Sequence, residues 1–419
     1  MKKKYLATSV ACLLSATFMQ PVYADTRDDL IAQVKALTKR IDSLENKGPS
    51  EKRAVTKGEL NIPGTQTSIK FGGYLQADMI HDTRVDTGPY FNAGLTSPSS
   101  ANDSPNTQLQ ARQSRFNIKT TTDVGTGKPL VGFLEMDFMG DDNSTNEVFS
   151  NSAGLRLRHA YIKYDKYLIG QYWSNFQDFV GYPILLDISS PAGRVFVRQT
   201  QFRYSAGNWA LSLENPETQP ISGFSNQAES LNGIGEDTLP DLVVSWRGGN
   251  GGAAGLYQAS AVVRELGING TFNGVSYDQT HTGWGTNLAG RWKTGNLTFK
   301  ANAAYGKGIG RYINNGWAND VRLNADGSSS LITSYGLSAA MEVAWNPALA
   351  STFSYGYFEN EDDLGAFGTE SLATYRANLR WTPIKGTMVG AEVMHAERDY
   401  VDGRDGDNTR LQLSVRRSF

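Results

Sequence analysis

Arginines and lysines at even spacing are the side chains of this chain best suited to chemistry. Arg115 and Lys119, Arg291 with Lys293 and Lys300, Arg376 with Arg380, and Arg410 with Arg416 fall in segments that alternate polar and apolar residues. Arg156, Arg158, Arg194, Arg198 and Arg203 form a further basic group whose parity is less regular. Carboxylates sit among them at Glu135, Asp137, Glu342 and Glu392. Guanidinium forks match carboxylates bidentately, so a ring of them around water is suited to organic anions. Such binding must be weak and spread over several sites, or the solute does not leave. The alternative is that these charges pair with each other and only keep a wall wet.

Catalytic constellations are missing from the same survey. His81, His159, His281 and His395 stand apart, without metal-ligand spacing. Val124-Gly-Thr-Gly-Lys-Pro129 resembles a phosphate loop, but Thr122 stands where the first glycine is required, so a plain turn is expected. Asp402-Gly-Arg-Asp-Gly-Asp-Asn408 has hard oxygen ligands yet reads better as an exposed acidic loop. No enzyme activity, metal or cofactor is expected. A net charge of -2 gives no reason to expect nucleic acid as a partner.

The elements that position these charges are strands. In the last eleven residues Leu411, Leu413, Val415 and Phe419 share one face, and Arg410, Gln412, Ser414, Arg416 and Ser418 the other. The same alternation recurs from Ile69 to Asp82 and through the chain, with the charged residues on the face taken as inward. Of the histidines, His159 and His395 are the two expected inside strands, and neither has an obvious Ser or Asp partner. Seven short connections are expected near 121–128, 165–166, 205–208, 247–254, 294–295, 346–350 and 382–386. Eight long polar ones are expected near 83–110, 141–154, 175–194, 216–239, 265–282, 307–330, 360–370 and 399–408. These join 16 strands, an even number with both ends on the short-turn side. Tyr164, Tyr167, Tyr204, Trp209, Trp345 and Trp381 flank the short turns, as a membrane interface favours. With 20% charged residues the chain is too polar for a helical membrane protein. The expected fold is therefore all-β: a 16-stranded antiparallel transmembrane barrel over residues 67–419. It is closed by pairing the first strand with the last, because an open edge in lipid is costly.

The amino-terminus reads as a signal peptide, 1–24, with cleavage after Ala24. The one cysteine, Cys12, lies within it, so the mature chain is expected to hold no disulfide. Residues 25–46 place Leu30, Val34, Leu37, Ile41 and Leu44 on a heptad seam. This is expected to be a short periplasmic coiled coil, or else a single amphipathic helix lying on another surface. Residues 47–66 read as a linker. The connection from Phe176 to Pro191 is unusually apolar for a solvent loop. Folded back into the barrel, it would narrow the pore and set Asp178 or Asp187 opposite the arginines. The alternative is an exposed or interface-packed loop.

Four segments carry a family resemblance: Ile62-Pro-Gly-Thr-Gln-Thr-Ser-Ile-Lys-Phe-Gly-Gly-Tyr74, Ser114-Arg-Phe, Gly170-Gln171 and Arg198-Gln-Thr-Gln-Phe-Arg-Tyr204. With the signal, the heptads and the terminal Phe419, the chain resembles the DcaP-like outer-membrane porins. The resemblance implies a homotrimeric 16-stranded channel in a Gram-negative outer membrane, with a preference for dicarboxylates and similar organic anions. Arg198 and Arg203 are its motif positions in this chain. Phe419 resembles the signal read by the outer-membrane assembly machinery, and lipid and lipopolysaccharide would surround the barrel. The expected function is diffusion of small organic anions, including dicarboxylates and aromatic acids, through an arginine-lined constriction. The competing readings are a general or weakly cation-selective porin, an outer-membrane enzyme, and an adhesion barrel.

Overall fold

The computed structural model describes Val34–Ala36, Thr38, Lys39 and residues 58–419 apart from 99–102, 141–149, 223–233, 252–254, 314–317, 362–363 and 365–367. The chain divides into Met1–Lys57 and Gly58–Phe419. In the first unit the described residues are helical, and Val34 is exposed. The signal with Ala24, the linker up to Lys57, and Leu30, Leu37, Ile41 and Leu44 lie outside the described residues. No described helix is long and apolar enough to cross a membrane.

The second unit is a closed antiparallel sheet of sixteen strands. They are β1 (Thr67–Asp82), β2 in two pieces (Asn106–Gln110 and Arg115–Asp123), β3 (Pro129–Gly140), β4 (Gly154–Tyr164) and β5 (Tyr167–Trp173). Then come β6 (Arg198–Ala206), β7 (Trp209–Glu214), β8 (Asp241–Gly249), β9 (Leu256–Phe272), β10 (Val275–Thr294) and β11 (Leu297–Lys307). The last are β12 (Thr333–Asn346), β13 (Leu349–Asn360), β14 (Thr369–Ile384), β15 (Thr387–Tyr400) and β16 (Asp405–Ser418). Each pairs with the next, and β1 pairs with β16 from Tyr74↔Ser418 to Asp82↔Arg410, so no edge is left. Phe419 lies just past β16, where its backbone N–H donates to the Gly73 carbonyl at 3.1 Å.

Alternation decides which face meets lipid. Leu411, Leu413 and Val415 are about half exposed, whereas Arg410, Gln412 and Ser414 are buried on the inner side. Tyr167, Trp209, Trp345 and Trp381 are exposed beside short turns, the place where amphipathic rings suit headgroups. The wall is uneven: β5 has seven residues and β7 six, but β9 has 17 and β10 has 20.

All seven expected short turns are present. Two expected long loops are not. Residues 265–272 and 275–282 continue β9 and β10, which meet in a two-residue turn at Asn273-Gly274. Both turn residues have positive φ, 48° and 79°, the geometry that makes Asn-Gly a hairpin turn. Between β15 and β16 only 401–404 remain outside the strands, so 399–408 is also a tight connection. The longer β10 takes in His281, and His81 lies within β1 as the expected strand Ile69–Asp82 already placed it, so all four histidines lie in strands.

The apolar core of this barrel is inside it. Phe91, Phe176, Val195, Tyr312 and Ile313, from the β1–β2, β5–β6 and β11–β12 loops, pack against Val243, Val262, Phe358 and Met394 of the inner wall. Residues 220–222, 321–323 and 329–331 form a small separate sheet that ties the β7–β8 and β11–β12 loops together.

Candidate functional site

The β5–β6 connection folds into the barrel. Phe176, Asp178 and Leu186 are almost fully buried, and the backbone of this segment is held by inward side chains of the wall. Ser260 Oγ and Asn287 Nδ2 donate to the Phe176 carbonyl at 2.8 and 2.9 Å. Lys300 Nζ donates to the Tyr182 carbonyl at 2.8 Å, and Asn378 Nδ2 to the Ile184 carbonyl at 3.0 Å. In return the backbone N–H of Ile184 donates to Glu342 at 2.9 Å and that of Leu186 to Glu392 at 2.7 Å. β9, β10, β11, β12, β14 and β15 therefore all hold one segment, which crosses the interior as an apolar loop must if it is to shed water. Its return leg lies flush on the wall. A Cβ on Gly336 would sit 2.0 Å from the Gly193 carbonyl, so only glycine permits this approach.

Burying charged groups here requires partners. Asp178 takes Arg194 at 2.8 Å, with both side chains fully buried. Arg410 is bidentate on Asp82, with Nε at 2.9 Å and Nη2 at 2.7 Å, and lies 3.7 Å from Asp187. Asp187 also accepts the Phe91 N–H at 3.0 Å, joining the β1–β2 loop to this network. Arg376 lies 3.9 Å from Glu392 and donates to the Ser190 carbonyl at 2.9 Å. Lys300 pairs with Glu342 at 2.7 Å. On the opposite wall Arg156 is bidentate on Asp137, and Arg158 reaches Glu135 and Asp137, both at 2.9 Å. Arg115 stands 3.5 Å from Glu135.

These contacts correct part of the sequence expectation. Arg194, Arg376 and Arg410 were expected to face the pore, but their guanidinium groups are sealed between the loop and the wall, and they hold the loop. Asp178, Asp187 and Glu392 are sealed with them rather than presented to a solute, and Asp137 is fully buried between Arg156 and Arg158. Arg194 lies on the loop itself and not on a strand.

A second set has no carboxylate within ion-pair distance among the described residues: Lys119, Arg198, Arg203, Arg291, Arg380 and Arg416. Arg416 donates to Gln76 Oε1 at 2.6 Å and lies over the Tyr74 ring at 4.4 Å. Arg380 contacts Asn378 and Thr352, and Arg203 donates to Gln201 and the Trp173 carbonyl. Arg198 lies over the Trp173 ring at 4.4 Å, and its Nη1 has no hydrogen-bond partner. It lines a cavity of about 310 Å³ with Arg156 and Arg158. A cavity of about 470 Å³ lies against Arg115, Arg158 and Arg416 and the rings of Tyr74, Tyr161, Tyr172 and Tyr182. Burial pushes the Tyr182 hydroxyl, on the loop, up to about 12, so it stays protonated and can only exchange hydrogen bonds near neutral pH.

Sequence reasoning missed three groups. Asp82 is the main partner of Arg410, and parity could have found it. Arg264 binds Asp241 at 3.1 Å and Asp320 at 2.9 Å, fully buried under the β11–β12 loop. It escaped notice because its strand was ended one residue later, at the loop expected from 265. Lys163 and Arg247 follow lumenal parity on β4 and β8, opposite Leu168 and Gln258 in the ladders. No group of three or more His, Cys, Asp or Glu among the described residues could hold a metal ion.

Solved structures with the same architecture include the outer-membrane channel DcaP of Acinetobacter baumannii. It is 23% identical, with a TM-score of 0.72 over 84% of this chain and 97% of that one. An anion-selective porin from Comamonas acidovorans matches at 11% identity and TM-score 0.56, over 84% and 100%. A trimer form of OmpT from Vibrio cholerae matches at 12% and 0.50, over 84% and 99%. At these identities the likeness concerns the fold. No curated protein sequence matches the chain. The family model of a porin subfamily matches residues 54–415, nearly the whole closed wall and everything it encloses. A sealed ring of strands with lipid-facing Leu and Val outside and charge within is thereby accounted for: the chain belongs to this porin subfamily and is an outer-membrane β-barrel channel.

Proposed function

We propose that the channel passes small organic anions, dicarboxylates and aromatic acids among them, through a constriction between the β5–β6 loop and the arginines that carry no carboxylate partner. One observation carries this reading. Arg198, Arg203, Arg380 and Arg416 are partly buried and meet only neutral hydrogen-bond acceptors or rings, so no carboxylate of the described residues pairs with them. A planar carboxylate meets a guanidinium fork bidentately. The rings of Tyr74, Tyr161 and Tyr172 beside them suit the apolar body of an aromatic acid. The solved porin from Comamonas acidovorans is described as anion-selective, which agrees with the proposal. The protomers are proposed to assemble as a homotrimer, as the OmpT trimer form does.

A second reading has an observation of its own. Glu135, Asp137, Asp178, Asp187, Glu342 and Glu392 neutralise most of the other arginines and Lys300. That balance favours a general porin of weak selectivity. Reversal potentials in a KCl gradient across a planar bilayer decide between them, followed by succinate or phthalate addition. Anion selectivity with block by the dicarboxylate is expected. Cation selectivity without block would leave the general porin, and no conductance would remove the channel reading altogether.

A further inference from the structure

The lumen on the short-turn side of the β5–β6 loop carries six further cations besides Arg203, Arg380 and Arg416. Lys70 and Lys119 face each other across β1 and β2. Lys163 on β4, Arg247 on β8, and Arg291 and Lys293 on β10 follow the same inward parity near the short turns. None of the six forms an ion pair among the described residues. The Arg247 guanidinium donates only to Gln258 Oε1, at 2.8 Å through Nη2 and 3.3 Å through Nε. Carboxylates are fewer along these rows: Glu59 lies opposite Lys70 in register without an ion pair, Glu342 shares a row with Lys293 but is paired with Lys300 at 2.7 Å, Asp123 accepts the N–H of Gly125 in its own turn, and Asp165 takes Lys128 at 3.6 Å.

Like charges directly opposite on neighbouring strands cost stability. A wall that had only to stay wet could use Ser or Thr there. The six cations come from five strands around the barrel, so one small anion meets only one or two of them. A flexible anion with several charges reaches more, and each added contact is made at high effective concentration. Short turns lie on the periplasmic side of such barrels. A polyanion from the periplasm therefore enters this vestibule directly, whereas one from outside must first pass the loop held by Asp178, Arg194 and Glu392.

We propose that the periplasmic vestibule is a weak, many-point binding site for linear polyphosphates, and that it makes block of the channel one-sided. The proposal rests on the channel reading and does not depend on which solute the constriction arginines prefer.

The test is single-channel recording from the full-length protein with sodium triphosphate added to one chamber at a time. Orientation is read by attack of an impermeant thiol reagent on an Asn208→Cys variant, since the only cysteine of the sequence is Cys12 in the expected signal. Asn208 lies in the short turn between β6 and β7. Triphosphate is expected to block from the periplasmic side at about tenfold or more lower concentration than from the extracellular side. The combined variant Lys70→Gln, Lys119→Gln, Lys163→Gln, Lys293→Gln should still insert and open as a channel in KCl, and its block by triphosphate should lose that sidedness. Equal block from both sides, no block from either, or sidedness that survives in the variant would overturn the proposal. Succinate block measured on the same channels reports on the arginine constriction separately.

Discussion

The lumen has two halves built from the same residue types and used in opposite ways. On the loop side, arginine is a fastener: Arg194, Arg264, Arg376 and Arg410 are buried and each lies against carboxylates. On the short-turn side, Arg247, Arg291, Lys119 and Lys293 face water with no carboxylate partner among the described residues. The difference is one of solvent. A charge taken out of water must be matched, and a charge left in water need not be. Residue type therefore does not tell a gripping arginine from a structural one. What tells them apart is whether another segment of the chain covers it.

Breaking one fastener should have the largest effect. Asp178→Ala leaves the buried Arg194 guanidinium unmatched, and losing one partner of such a pair costs about 3–5 kcal/mol. Thermal or denaturant unfolding of the detergent-solubilised barrel should show it, along with unsteady single-channel current from a loosened loop. Arg194→Met with Asp178→Leu should recover most of the loss, and failure to recover would mean that the loop needs the charges themselves. Next comes Gly336→Ala, which drives a methyl into the Gly193 carbonyl and should cost about 1–3 kcal/mol as the loop is pushed off the wall. The open-water side should answer differently. Arg416→Gln together with Arg380→Gln should shift the reversal potential toward cations and weaken succinate block, while stability changes by less than about 1 kcal/mol. A large stability loss in that variant would place these two arginines with the fasteners. The smallest effect is expected from Lys119→Gln, a gain of about 0.2–1 kcal/mol from relieving the contact with Lys70.

The wall was legible in the sequence because lipid and water impose a period of two. Leu411 to Val415 outward and Arg410 to Ser414 inward follow from that period alone. The β5–β6 loop was legible because Phe176, Val180, Ile184 and Leu186 are poor residues for a solvent loop. The β9–β10 hairpin was misread because its strands run beyond the membrane band, where Asn269, Asp278 and Gln279 resemble loop composition. The Asn273-Gly274 turn was the overlooked signal. The ion-pair partners were beyond reach for a different reason. Arg410 meets Asp82 only after the barrel closes, and Arg264 meets Asp320 only after the β11–β12 loop folds over it. Which arginines are fasteners is decided by those late contacts.

The low stretch of wall has a consequence for assembly. At roughly 3.3 Å per residue, the seven residues of β5 reach about 23 Å along the strand, and less across the membrane once the strand is tilted. The apolar band of an outer-membrane barrel is about 25 Å tall. Over β5 and the still shorter β7, bilayer facing the protomer would have to thin to meet it, at an energetic cost that grows with the mismatch. A neighbouring barrel set against this sector would remove lipid from it altogether. In those terms an association of protomers through this sector would act as hydrophobic matching, and thicker bilayers should favour it more strongly than thin ones.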